Sequence, residues 1–214
     1  MTRGRPWWRW IGRGDPRPLD SLAADGFVAI DLETTGLDAR GDAVVALAAV
    51  PFVDGTPRPG YVTLVNPRRP IPPASTRIHG ITDAMVAGAP PFGGVAGHVE
   101  AACRDAILVG HGVAFDLAVL ARERRACGLR PLGNLTLCTQ RLAAALHPGW
   151  TDLGLDAVAA RLGVPVNGRH TARGDAVAAG DILLALLPGI AGRGVHTITD
   201  ALRLQETASL HRAP

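Results

Sequence analysis

Residues 27–36 read FVAIDLETTG, and this stretch decides how the chain folds. A short apolar run follows Asp25 and Gly26 and ends in Thr-Thr-Gly, which predicts a central strand that runs into a tight turn. Side chains two positions apart on a strand point to the same face, so Asp31 and Glu33 can present their carboxylates to one site. Because an unpaired acid on a buried strand is costly, the pair is better explained by a function than as a solvent-facing acidic pair.

Two further motifs supply acids at fixed places. HGVAFD at 111–116 follows an apolar strand predicted over 106–110, and HTARGD at 170–175 opens a helix predicted over 171–187. The helix dipole alone would also favour Asp116 at the start of a helix. Four acids brought together repel one another and resist burial, so the arrangement makes sense with multivalent cations between them. The sequence therefore predicts a two-metal hydrolase that acts on phosphate esters.

The three motifs D-x-E-T-T-G, H-x-x-x-F-D and H-x-x-x-x-D occur in an order that resembles the DEDDh, or DnaQ-like, 3′–5′ exonucleases, a family that includes polymerase proofreading subunits. The resemblance runs from about residue 27 to residue 188. The last motif resembles the histidine subclass of the family rather than the tyrosine subclass. This resemblance implies a ribonuclease H-like fold and five catalytic residues, namely Asp31, Glu33, Asp116, His170 and Asp175.

The family resemblance also implies a role for each of these residues with two Mg²⁺ or Mn²⁺ ions. Asp31 would bridge both ions, Glu33 and Asp175 would complete the ion that holds the nucleophilic water, and Asp116 would hold the other ion. His170, on the loop before its helix, would take the proton of the water as general base. The products would be nucleoside 5′-monophosphates.

Six further residues are expected to contact substrate because of their positions in the family pattern: Thr34, Thr35, Gly36, Leu37, His79 and His111. Leu37 would be an apolar wedge against a base. Simple turn chemistry explains residues 34–36 equally well, a helix-capping loop would explain the segment from His79 to Thr82, and His111 either orients substrate or ends a strand. Gly112 stands where the family commonly has asparagine, which puts a side-chain contact in the substrate groove in question.

The composition limits where nucleic acid can bind. All 22 basic residues are arginine; residues 1–20 hold five of them and two Asp, and residues 21–214 hold 17 Arg and 17 acids. Because residues 21–214 carry no formal net charge, nucleic acid is expected to bind only at the active-site groove rather than over a broad basic face. The three cysteines lack the spacing of a metal site, so they are expected to be buried thiols in a cytoplasmic protein. No signal-peptide pattern and no 18-residue apolar run occurs, so no membrane span is expected.

The predicted architecture is a single α/β domain with two appendages. A mixed five-stranded sheet with helices on both faces is expected, with strands over 27–31, 43–53, 61–65, 106–110 and 135–139, and an irregular connection over 66–74. The expected division is a basic Trp/Arg-rich tail (1–20), an exonuclease domain (21–188) and a C-terminal segment (189–214) that could hold one helix over 199–210. The tail either packs or is unstructured, stacks on nucleic acid, or lies at a membrane surface.

Three functions are compatible with these residues. The leading one is a metal-dependent 3′–5′ exonuclease on single-stranded DNA, in proofreading or repair. An exoribonuclease would share all five catalytic positions, because the choice of sugar depends on the shape of the groove. A third possibility is a binding module with incidental activity that docks a DNA polymerase or another replication or repair partner. A homodimer is also compatible with the sequence.

Overall fold

The computed structural model describes residues 15–208 of the chain. Six strands and nine helices occur in this part of the chain: α1 (Ser21–Ala24), β1 (Phe27–Thr34), β2 (Val44–Val53), β3 (Thr56–Pro57), β4 (Tyr61–Leu64), α2 (Pro73–His79), α3 (Asp83–Val86), α4 (Phe92–Cys103), β5 (Leu108–Gly110), α5 (Ala114–Ala126), β6 (Thr136–Cys138), α6 (Thr139–Leu146), α7 (Leu155–Leu162), α8 (Ala172–Ala191) and α9 (Ile198–Glu206).

The strands form one mixed sheet in the order β3-β2-β1-β5-β6, with β4 also paired to β2. β2 is antiparallel to β1, β3 and β4, whereas β1, β5 and β6 run parallel. The predicted mixed sheet is confirmed, but it has six strands rather than five. The extra strand arises because Asp54 and Gly55 both adopt positive φ angles, which makes the two-residue hairpin turn that pairs Val53 with Thr56.

Helices cover both faces of the sheet, as predicted. Alternate residues of β1 enter different cores: Phe27 and Ala29 belong to the core that also contains α8, and Val28 and Ile30 belong to the core under α4 and α5. α8 lies closest to the sheet, because a Cβ at Gly180 would stand 2.3 Å from the ring of Phe52. The middle of α8 is therefore in close contact with β2.

Three helix boundaries differ from the predictions, one of them at α9, which spans Ile198–Glu206 rather than the expected 199–210. α2 begins at Pro73, inside the segment 66–74 that was expected to be irregular, because proline is well suited to the first position of a helix. α8 continues through Pro188 to Ala191 instead of ending at residue 187. The boundary proposed at residue 188 thus falls inside a continuous helix. The division into three segments stays a prediction.

Among residues 15–208, only α8 is long and apolar enough by length and composition to cross a membrane. More than half of its most apolar window is buried, and it packs on β1, β2 and β5. These contacts are those of a core helix.

The two ends of the described chain pack on each other. The backbone N–H of Leu19 donates to the carbonyl of His196 at 2.8 Å, and the N–H of Ile198 donates to the carbonyl of Arg17 at 3.1 Å. Residues 1–14, which make up most of the predicted tail, lie outside the described residues. The last residues of that predicted tail, from Asp15 onward, are integrated with the segment that leads into α9.

α9 closes the edge of the sheet through one side chain. The side-chain carbonyl of Gln205 accepts from the N–H of Cys138 at 2.8 Å, and its amide donates to the carbonyl of Thr136 at 2.9 Å. Gln205 is 7% exposed. Its amide thus takes the place of a neighbouring strand beside β6, whose backbone groups would otherwise be unpaired.

The three cysteines are free thiols, and the prediction that all are buried is wrong for one of them. Cys103 and Cys138 are buried, but Cys127 is exposed. It follows the last turn of α5, where the chain turns away from the sheet at Gly128.

Replacing Gln205 with alanine should destabilise the fold by about 2 kcal/mol, because it leaves the buried N–H of Cys138 and the partly buried carbonyl of Thr136 without partners. Arg203→Ala is the matched control on the same helix, since the exposed ion pair of Arg203 with Asp200 contributes little. Urea denaturation of both variants measures the difference. Equal stability of the two variants would show that α9 does not close the sheet edge.

Candidate active site

The candidate site lies where the carboxyl end of β1 meets the first turn of α8. Asp31 and Glu33 share the face of β1 that α8 covers, and Asp175 enters the same space from the first turn of α8. One carboxylate oxygen from each of these residues lies within 4.8 Å of the others. The pairing of β1 with β2 shifts register between Glu33 and Thr34, immediately after the two acids, with Val45 as the extra residue on β2.

Asp116 lies next to this group of three but outside the 4.8 Å set. It stands in the first turn of α5, and its Oδ1 accepts the backbone N–H of Leu32, between the two acids of β1, at 3.1 Å. Asp116 is 6% exposed, and its charge raises the pKa of Asp31. The fold therefore brings all four predicted acids together at the carboxyl end of the central strand β1.

Burial and mutual repulsion make these acids hard to ionise together. Burial raises the pKa of Asp31 well above its usual value, and the charges of Asp116, Asp175 and Glu33 raise it further. Burial likewise raises the pKa of Glu33 to about 7 and that of Asp116 to about 7. Burial raises the pKa of Asp175 too, although Arg169 opposes that rise.

The chemistry of this cluster fits a divalent cation. Its donors are all carboxylate oxygens, the ligands that Mg²⁺ and Mn²⁺ prefer. Their raised pKa values reflect burial first and mutual repulsion second, and a bound cation would stabilise the ionised forms against both. Asp31, Glu33 and Asp175 could hold one ion, and Asp116 extends the donor set toward β5.

His170 stands on a tightly packed loop immediately before α8. Its φ is +60°, and its backbone N–H donates to Asp175 Oδ1 at 3.3 Å. A Cβ at Gly174 would lie 2.1 Å from the carbonyl oxygen of Gly168, so only glycine permits this approach of loop to helix. Thr171 caps α8 by accepting the N–H of Gly174 at 3.1 Å. The loop thus fixes the backbone of His170 beside the acids.

Arg169 is a site residue that the sequence patterns did not reveal. Its Nη1 pairs with Asp175 and lies 3.2 Å from His170 Nδ1, while its Nε donates to both carboxylate oxygens of Asp156 at 2.9 Å. The only sequence signal was a cation adjacent to the H-x-x-x-x-D motif. Asp156, on α7, carried no signal, because only tertiary structure brings α7 to this loop.

The predicted substrate residues after β1 form a loop that is held by side-chain hydrogen bonds. Thr34 Oγ1 donates to the carbonyl of Gly36 at 2.6 Å, and Thr35 Oγ1 donates to Asp42 at 2.8 Å. A Cβ at Gly36 would lie 2.5 Å from the Asp42 carboxylate, so a larger residue there would displace Asp42 from its bond with Thr35. Leu37 projects from this loop with 88% of its surface exposed. Both threonine hydroxyls therefore serve the turn, and the exposed leucine is free to contact a ligand.

His79, at the end of α2, is buried next to this loop. Its Nδ1 accepts the N–H of Ile81 at 3.0 Å, and its Nε2 has no partner in the described part of the chain. Burial lowers the pKa of His79, the nearby backbone of Thr34 opposes that fall, and the charge of His170 adds to it. α2 is docked because Ser75 Oγ donates to the carbonyl of Thr35 at 2.7 Å. The structure thus places His79 near the predicted substrate loop with one ring nitrogen unpaired.

His111 has neither ring nitrogen free. Nδ1 lies 2.9 Å from Thr139 Oγ1, and Nε2 lies 2.8 Å from the carbonyl of Leu153. This geometry favours the alternative that His111 joins the end of β5 to its neighbours rather than binding substrate. Gly112 has a φ of +69°, a conformation that asparagine tolerates better than most residues, and a Cβ there would meet nothing closer than 3.7 Å. The backbone would therefore accept the asparagine common in the family.

Residues 28–183 match the RNase_T family, described as an exonuclease family. Because this match covers most of the chain, the chain belongs to that family, and the resemblance to DnaQ-like 3′–5′ exonucleases is confirmed. Exonucleases of this family generally use divalent metal ions.

Two curated relatives support the assignment. A "DNA polymerase III subunit epsilon-like protein" of Rhodobacter capsulatus is 44% identical over 197 residues, which is 87% of this chain and 27% of the relative. The "DNA polymerase III subunit epsilon" of Aquifex aeolicus is 34% identical over 178 residues, 82% of this chain and 88% of the relative. The chain thus spans about a quarter of the length of the Rhodobacter relative.

Solved structures show the same fold. Exonuclease X in complex with 5′ overhanging duplex DNA aligns with a TM-score of 0.61 at 28% identity, over 82% of this chain and 97% of that one. E. coli Exonuclease I in complex with a dT13 oligonucleotide aligns with a TM-score of 0.67 at 17% identity, over 79% of this chain and 42% of that one, which speaks for the fold alone.

Without metal, the protein should lose stability as pH rises from 5 to 8. The folded pKa values of Glu33 and Asp116 lie above those of the unfolded chain, so the stability that their protonated forms provide is lost as pH passes through about 7. We expect the melting temperature in EDTA to fall by roughly 5 °C or more over this range, and added Mn²⁺ to reverse the fall.

Asp31→Asn is the control for this measurement, because it removes one of the repelling charges and should flatten the pH dependence. A wild-type melting temperature that stays level between pH 5 and pH 8, or a variant that falls as steeply as the wild type, would contradict the repulsion among these acids.

Proposed function

We propose that the protein is a metal-dependent 3′–5′ exonuclease that releases nucleoside 5′-monophosphates from the end of single-stranded DNA. The observation that carries this proposal is the meeting of Asp31, Glu33 and Asp175 within 4.8 Å of one another, beside His170. These residues occupy the positions that the family pattern assigns to catalysis.

Each catalytic residue has a role that its position supports. Asp31, Glu33 and Asp175 would hold one divalent cation, and Asp116 with Asp31 would hold a second. Such cations, when bound, lower the pKa of a coordinated water and neutralise the charge of a phosphate. His170, whose backbone is fixed to Asp175, would accept the proton of the attacking water. Mg²⁺ and Mn²⁺ both suit an all-carboxylate donor set.

Substrate would bind along the loop after β1 and the end of α2. Leu37 offers an exposed apolar side chain that a terminal base could pack against. His79 has its Nδ1 occupied by the Ile81 N–H, so the ring proton lies on Nε2, which is buried beside the Thr34 backbone. His79 would therefore support the substrate loop rather than contact the phosphate. Because the hydroxyls of Thr34 and Thr35 hold the turn, their contribution to binding would come from the backbone.

DNA is the favoured substrate and a polymerase the favoured partner. The relatives named after the polymerase III epsilon subunit motivate a role in proofreading or repair, and the complex of Exonuclease X with DNA motivates the choice of nucleic acid. Action on RNA and formation of a homodimer are the alternatives, and the cytoplasm is the compartment in which such an enzyme would work.

Digestion of a 5′-labelled single-stranded DNA and a matched RNA tests the proposal. With Mg²⁺ or Mn²⁺ we expect a ladder that shortens from the 3′ end, faster on DNA, and no cleavage in EDTA. His170→Ala and Asp31→Ala should each lower the rate by at least about 100-fold, because general-base catalysis and a metal ligand are lost.

The matched control is His147→Ala. His147 stacks on Trp150 at the end of α6, away from the acids, and its replacement should leave the rate within about two-fold. Failure of the wild type to cut either strand would contradict the proposal and favour a binding module, whereas faster cleavage of RNA would reassign the substrate.

A further inference from the structure

One guanidinium nitrogen contacts two of the proposed catalytic groups at once. Nη1 of Arg169 pairs with Asp175 Oδ2 and lies 3.2 Å from His170 Nδ1. Because a guanidinium only donates hydrogen bonds, His170 Nδ1 must be the acceptor in this contact. The lone pair of that nitrogen and one oxygen of a proposed metal ligand are therefore both occupied by Arg169.

The other side of the guanidinium is anchored outside the cluster. Nε donates to Oδ1 and Oδ2 of Asp156 at 2.9 Å each, and the Asp156 side chain is 64% exposed at the start of α7. Arg169 therefore has a second carboxylate that would keep it in place if it left Asp175. Such an anchored guanidinium can shift without losing its ion pair.

The charge of Arg169 reaches the whole cluster. It lowers the pKa of Asp31, of Glu33 and of Asp175, opposing the rise that burial causes. A divalent cation at the same oxygens would repel this guanidinium at close range. Arg169 and the cation are thus alternatives at Asp175.

We propose that Arg169 is an internal counter-ion that competes with the divalent cation: it holds Asp175 and His170 in the metal-free protein and withdraws from both, still bound to Asp156, when the cation binds. The proposal rests on the metal site of the proposed function. Arg169 is a positioning residue in this scheme, because it acts through the metal ligand and the base. Metal loading then frees the imidazole nitrogen in the same step that fills the site.

Calorimetric titration of Mn²⁺ into the metal-free protein tests the competition. Arg169→Gln should lower the Kd for Mn²⁺ by about 10-fold, because the cation no longer has to break a charge-assisted hydrogen bond. Arg173→Gln is the matched control: it removes the same charge two residues from Asp175, and Arg173 forms no hydrogen bond or ion pair among residues 15–208. Its Kd should stay within about two-fold of the wild-type value.

A second measurement uses the unaltered protein. The ¹⁵N chemical shift of His170 Nδ1, followed by NMR during a Mg²⁺ titration, should change as the guanidinium leaves, and in the absence of metal the Arg169→Gln variant should already lack the wild-type shift. This readout does not depend on activity.

The outcomes distinguish the competition between Arg169 and the cation from the existence of the metal site itself. Mn²⁺ binding by the wild type with an equal or higher Kd in Arg169→Gln, or a His170 shift that Mg²⁺ leaves unchanged, would overturn the competition and leave the metal site standing. No Mn²⁺ binding by either protein would overturn both.

Discussion

The burial and mutual repulsion of four carboxylates, two of them buried and two half-buried, form the constraint on which the rest of this structure depends. The four acids lie together at the carboxyl end of β1, and burial raises the pKa of each of them, namely Asp31, Glu33, Asp116 and Asp175. Such an arrangement is unfavourable for folding unless something else holds the backbone in place and a positive charge compensates the acids. The cost is explained if the site exists to bind cations and phosphate.

The fold holds the acids through rigid elements rather than through the acids themselves. β1 is the central strand, paired on both sides, so the positions of Asp31 and Glu33 are fixed by backbone hydrogen bonds. α8 packs against β1 and against the neighbouring β2, where Gly180 lies on Phe52, and this packing holds Asp175 beside the end of β1. The close contact of Gly174 with Gly168 then fixes the loop that carries His170.

The sequence predicted the elements that depend on local pattern. β1, its two acids and the start of α8 near residue 171 follow from the sequence pattern and spacing, and the resemblance to a family supplied the order of the motifs. It did not predict the two-residue strand β3, because a strand that short has no periodicity of its own. It also could not predict the pairing of Arg169 with Asp156, the use of both nitrogens of His111 within the protein or the closure of β6 by Gln205, since each joins residues that are distant in the chain or on different elements.

The most direct test of this account is a crystal structure with Mn²⁺, using anomalous scattering to locate the ions. The account predicts Mn²⁺ bound by carboxylate oxygens of Asp31, Glu33 and Asp175, with Asp116 at or beside a second ion. Anomalous density that is absent from this cluster at millimolar Mn²⁺, or that lies on other acids of the protein, would contradict the central claim that these four acids are placed together to bind metal.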